Sequence, residues 1–100
     1  MSLLIDTIQK EKIRIEYMLD DYTSILNTLP KGSLHEVHRG GKSYCYLKYR
    51  DGNKIVSKYI KNDQVQEYSD LIAKRKHIES MIKSLEEELK IANKALEGII

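Results

Sequence analysis

The sequence predicts an α+β protein, with two long antiparallel coiled-coil-like helices flanking a three-stranded antiparallel β-meander. Three observations carry that prediction. Apolar residues step by three and four along both ends of the chain, the period of a helix packed on another helix. The middle alternates residue by residue and is punctuated by Gly40-Gly41 and Asp51-Gly52-Asn53, the marks of tight antiparallel turns. Proline at position 30 and the Asn62-Asp63 pair separate these regimes.

The first helix is predicted over residues 3–28. Leu4, Ile8, Glu11, Ile15, Met18, Tyr22, Ile25 and Leu29 form its seam, with only Glu11 out of character. Ile5, Ile13 and Leu19 widen the stripe. Leu29-Pro30 closes it, because a residue before proline is pushed out of the α region.

Three strands follow, Ser33–Arg39, Lys42–Arg50 and Lys54–Ile60, together a meander over 33–60. Gly40-Gly41 suits a type I′ turn, in which both central residues take positive φ. That turn pairs Arg39 with Lys42, Val37 with Tyr44 and His35 with Tyr46. A two-residue loop at Asp51-Gly52 or at Gly52-Asn53 leaves the same two faces. One face carries His35, Val37, Arg39, Tyr44, Tyr46, Lys48, Arg50, Ile55, Ser57 and Tyr59. The other face carries Leu34, Glu36, His38, Cys45, Leu47, Tyr49, Val56, Lys58 and Ile60; it is the more aliphatic of the two and is expected against the helices.

The second helix is predicted over 63–97, capped at Asn62 or Asp63, with Gln66 as capping-box partner of Asp63. Its seam is Tyr68, Leu71, Arg75, Ile78, Ile82, Leu85, Leu89, Ala92, Leu96 and Ile99, interrupted by Arg75 alone. At ~1.5 Å per residue the helices span roughly 39 and 51 Å, so the second should overhang the first by roughly 12 Å. Ile91, Leu96, Ile99 and Ile100 would then lack a partner within the chain, and a homodimer through Leu85, Leu89, Leu96 and Ile99 is the expectation.

One hundred residues make a single domain, 1–100, with little enclosed volume. Trp and Phe are absent, so aromatic bulk comes from seven Tyr, and oligomerisation is a natural remedy for so thin a core. Cys45 is the only cysteine, which rules out an internal disulfide and favours a reducing compartment. The start runs directly into charged helix, and no apolar run approaches the roughly 20 residues of a bilayer span. A cytoplasmic protein with no membrane association is expected.

Nothing in the pattern marks an active site. His35, His38 and His77 are not spaced with thiols or carboxylates as metal ligands. Cys45 lies in a strand with no activating helix N-terminus, and Gly40-Gly41-Lys42 is too short for a phosphate loop. The expectation is no enzyme, no metal, no cofactor and no small-molecule substrate.

Charge points elsewhere. Residues 31–61 hold eight Lys/Arg against Glu36 and Asp51, a net of +6 in a chain whose total is +2. The candidate binding residues are therefore Arg39, Lys42, Tyr44, Tyr46, Lys48, Arg50, Ser57 and Tyr59. Lys/Arg alternating with Tyr can lie along a phosphate backbone, while Tyr and Arg are also typical anchors of protein interfaces. Nucleic acid and protein are both open as partners.

Leu29-Pro30-Lys31-Gly32-Ser33, followed by Gly41-Lys42-x-Tyr44-x-Tyr46-Leu47-Lys48-Tyr49-Arg50-Asp51-Gly52-x-Lys54-x-x-Ser57-Lys58-Tyr59-Ile60, resembles a group of small uncharacterised bacterial proteins. That resemblance covers nearly the full chain and implies the helix–meander–helix layout, but no activity. From Gly41 to about Lys76 the chain is also similar to the arm-type DNA-binding domain of tyrosine integrases from mobile elements. There the sheet enters the major groove, which would nominate Lys42, Tyr44, Tyr46, Lys48, Arg50, Ser57 and Tyr59. The long first helix and much longer second helix depart from that pattern.

Overall fold

The computed structural model describes residues 2–98 and bears out the α+β class, with 62% helix and 25% strand. The order is α1 (Leu3–Leu26), β1 (Ser33–Arg39), β2 (Lys42–Asp51), β3 (Lys54–Ile60), a 3₁₀ turn (Asn62–Gln64) and α2 (Val65–Glu97). No described helix is long and apolar enough to cross a membrane. Contacts gather the chain into two compact units, one up to Thr28 together with His77 onward, the other Leu29–Lys76.

In the first unit, Ser2 caps α1 by accepting from the Ile5 N–H at 3.4 Å, and Asp6 sits in the first turn, where the helix dipole favours a carboxylate. The helix ends at Leu26, two residues before the predicted 28. The Thr28 N–H and hydroxyl both donate to the Ile25 carbonyl, at 3.0 and 2.7 Å, and tighten the last turn out of α geometry. Ile15 is buried here with Ile78 and Leu85. A groove lined by Thr7, Ile8, Ile15, Ile91, Ala92 and Ala95 puts the start of α1 beside the end of α2, so the two run antiparallel.

The expected overhang falls at the other end. The C-terminal part of α2 lies along α1, and Leu96 is half-buried rather than unpartnered. The surplus length is residues 65–76, which cover the sheet; only Ile91 of the named residues is largely exposed, at 69%. Ile99 and Ile100 lie outside the described residues. Ile13 does not widen the apolar stripe of α1 either, being 54% exposed.

In the second unit the sheet order is β1-β2-β3, all antiparallel. Arg39 pairs with Lys42, Val37 with Tyr44 and His35 with Tyr46, as the Gly40-Gly41 turn requires; those glycines have φ of 55° and 77°. Asp51 pairs with Lys54, so Gly52-Asn53 is the second loop. The aliphatic face is the inner one. Leu47 and Ile60 are buried on Ile72 of α2, with Leu34, Tyr49, Val65 and Tyr68 packed around them. Lys58, also on this face, snorkels along Tyr68, its Nζ 3.4 Å from the hydroxyl.

The capping box is not formed. Asn62–Gln64 takes a 3₁₀ turn with no side-chain cap, and Gln66 instead donates to Asp70 at 2.9 Å. The polar break in the α2 seam has a clear role. Arg75 donates through Nη1 to the Leu29 carbonyl at 2.8 Å, holding the residue before Pro30. Gly32 has φ 108°, and a Cβ there would collide with the Lys48 carbonyl oxygen and lie 2.8 Å from Tyr49 Cβ.

Candidate functional site

Strand alternation and the register place the candidate residues together on the outer face of the sheet. Lys42, Tyr44, Tyr46, Lys48 and Arg50 are alternate residues of β2 and share one side. Arg39 lies opposite Lys42, Ser57 opposite Lys48, and Tyr59 opposite Tyr46. All eight residues of the predicted set therefore share one surface. Arg39, Lys42, Lys48, Arg50, Ser57 and Tyr59 are exposed, and Tyr44 and Tyr46 are half-buried.

Three tyrosines meet at its centre. The Tyr59 ring lies 5.8 Å from Tyr46 at 63° and 6.3 Å from Tyr44 at 56°, both within the range of favourable tilted and edge-to-face aromatic pairs. Cations stand on either side of this cluster. Arg39 and Lys42 lie at the Gly40-Gly41 end, and Lys48 and Arg50 toward the other. From Lys42 to Arg50 the strand rises roughly 26 Å at about 3.3 Å per residue. Ile55, opposite Arg50, is 71% exposed and completes the apolar part of the surface.

The electrostatics of the two faces differ in one decisive respect. The meander has two carboxylates, Glu36 and Asp51, and the register puts both on the inner face, Glu36 opposite Cys45 and Asp51 opposite Lys54. The outer face thus carries four cations and no carboxylate, although +6 for residues 31–61 could have been arranged with every acid beside a base.

Two serine–histidine contacts escaped the sequence reading. Ser43 Oγ lies 2.9 Å from His38 Nδ1 across the first hairpin, and Ser33 Oγ lies 3.0 Å from His35 Nε2. The first follows from the register, since His38 faces Ser43, but it needed the Gly40-Gly41 turn to be extended into side-chain geometry. Both pairs are exposed on strands, where such contacts tie neighbouring residues together. Cys45 is half-buried on the inner face. Among the described residues no three His, Cys, Asp or Glu side chains converge as a metal-ligand set.

The described residues of the proposed oligomer interface belong to α2 in the helical unit. Leu85 is buried, Leu89 and Leu96 are half-buried, and Ile99 is outside the described residues. Beside them, Glu11 and Glu88 border the apolar groove. Arg14 donates to Glu11 through Nη2 at 2.8 Å and Nε at 3.2 Å, which lowers the Glu11 carboxyl pKa below its ordinary value.

Helices flanking an open three-stranded antiparallel sheet with a basic, tyrosine-rich outer face define this as an α+β protein. The chain belongs to the family described as a domain of unknown function (DUF6788), whose model matches residues 6–70. That span holds the whole meander and most of α1. No curated protein and no solved structure matches the chain. The likeness to the integrase arm domain has no counterpart in these matches.

Proposed function

We propose that this chain is a non-enzymatic interaction module that binds an acidic macromolecule through the outer face of its sheet. The observation that carries the reading is the segregation of charge. Arg39, Lys42, Lys48 and Arg50 share one face, and both carboxylates of the meander occupy the other. A surface of one sign raises the local concentration of an oppositely charged partner and speeds encounter. The tyrosines beside these cations supply rigid contact area at low rotamer cost.

Retention on immobilised heparin, a generic polyanion, tests this directly. The chain should elute only at raised salt, and reversing charge with Lys48→Glu and Arg50→Glu should move elution sharply earlier while the helical circular-dichroism signal stays. Reversal at Lys83 and Lys90 of α2 should have much less effect. Passage of the native chain straight through the column at low salt would defeat the reading. Catalytic turnover abolished by Cys45→Ser or His38→Ala would defeat its non-enzymatic part.

A second reading concerns assembly. Ile91 is 69% exposed beside the apolar groove of Ile8, Ala92 and Ala95, which favours association of the helical unit with a second copy. In that assembly the homodimer forms on the helical unit, through the C-terminal part of α2.

A further inference from the structure

We infer that the acidic partner is a single-stranded nucleic acid, whose bases stack on the tyrosine cluster while its phosphates run along the flanking cations. This rests on the proposed binding role of the outer sheet face and deepens it.

The arrangement of side chains favours a single strand over other polyanions. A heparin-like chain or an extended acidic peptide is held chiefly by cations and brings few planar rings of its own, whereas Tyr44, Tyr46 and Tyr59 packed together at the centre present aromatic surface that unpaired bases can use. Unpaired bases offer open π-faces, and stacking on aromatic side chains is the sequence-tolerant part of single-strand recognition. Aromatic residues in the middle of an open antiparallel sheet are one of the ways in which proteins display such platforms. In a duplex, by contrast, base faces are already stacked on each other and only their edges are offered in the grooves. Edges are read mainly by Arg, Lys, Asn and Gln. Here the central positions carry phenols, and the guanidinium and ammonium groups stand to either side.

The tyrosines are also held in place. Each of Tyr44 and Tyr46 abuts Tyr59, at 6.3 and 5.8 Å, and the two β2 rings are half-buried. Tyr59 remains 49% exposed and is the ring best placed to receive a base. Fixed rings lose little freedom on binding, so contact area converts to affinity more efficiently. Along β2, Lys42 on one side and Lys48 and Arg50 on the other can accompany the phosphates of a strand whose bases cross the cluster between them.

The test is fluorescence anisotropy with the full chain and three labelled probes. They are an oligothymidine of about 12 nucleotides, a duplex of the same length and a polyglutamate of matching charge, titrated at about 50 mM salt. The oligothymidine should bind at least about tenfold more tightly than either other probe. Tyr59→Leu keeps a strand-compatible apolar side chain but removes the π-face, and should weaken oligothymidine binding about tenfold. Tyr59→Phe should stay close to the native affinity, and both variants should keep the native circular-dichroism signal, with Tyr59→Leu melting a few degrees lower as its two ring pairs are lost. Equal or tighter binding of the duplex, equal binding of polyglutamate, or full affinity in Tyr59→Leu would each overturn the inference. Retention on heparin with no oligothymidine binding would overturn it while leaving the broader binding role standing. Loss of both would remove the two together.

Discussion

Gly32 is the position at which one hydrogen in place of a methyl group matters most. Its φ of 108° is strained for any residue with a side chain, and an added Cβ would run into the Lys48 carbonyl and the Tyr49 Cβ. Gly32→Ala should therefore cost about 2 kcal/mol or more in urea unfolding, combining backbone strain with overpacking against main chain. Gly41→Ala meets nothing within 4 Å and should cost only the positive φ, about 1 kcal/mol. Equal losses at the two sites would show that the Gly32 contact is not limiting. Glu11 makes a second residue-scale prediction. Its carboxyl is held below its ordinary pKa first by the Arg14 hydrogen bond and then by the guanidinium charge. A depressed carboxyl contributes stability that is present above its ordinary pKa and lost as pH falls through the folded value. Both side chains are solvated, so the effect on stability should be slight, and the titration itself is the better observable. By NMR, Glu11 should titrate below the usual glutamate range in the native chain and return to it in Arg14→Gln. An unchanged midpoint in that variant would contradict the pairing.

The elements were largely legible because their periods differ. Apolar steps of three and four fixed α1 and α2 to within two residues at most ends, and the Gly40-Gly41 dipeptide fixed the first hairpin register residue by residue. The register in turn carried all eight candidate residues to one face, so their shared placement was legible from the strand period of two. What the pattern missed came from assuming that α2 packs on a helix along its whole length. Ile72 is off the heptad seam yet buried, because residues 65–76 cover a sheet and present a broader face than a helix seam does. For the same reason the surplus length of α2 is not at its C-terminal end. The capping box failed for a local reason, since a 3₁₀ turn at Asn62–Gln64 moves the start of the α-helix past the proposed cap. The sheet unit has only three fully packed residues, Leu47, Ile60 and Ile72, so each carries much of its stability. Ile72→Ala should cost about 2–4 kcal/mol and lower the protection of β2 amides in hydrogen exchange. A loss under 1 kcal/mol, on the scale of a surface change, would mean that α2 is not the element that closes the sheet.

At the scale of the whole molecule, six apolar side chains are buried among the described residues, three within each unit, which is little for a chain of 100 residues. Association is the natural compensation, and the exposed Ile91 is where a substitution should separate assembly from folding. The native chain should scatter light as a dimer of 11.7 kDa protomers, and Ile91→Lys should yield the 11.7 kDa monomer with its helical signal unchanged. A native monomer, or a variant of undiminished mass, would refute the second copy.

The charge segregation of the sheet is the central claim, and the salt dependence of oligothymidine binding measures it most directly. Counterion release lowers log K by about 0.7 for each phosphate neutralised on a single strand, so four cations on the outer face should give a slope near −2.8 against log salt. Replacing Lys48 with Gln should reduce that slope by about 0.7, since one phosphate contact is lost. A slope near zero, or one that Lys48→Gln leaves unchanged, would contradict the assignment of the outer face as the binding surface.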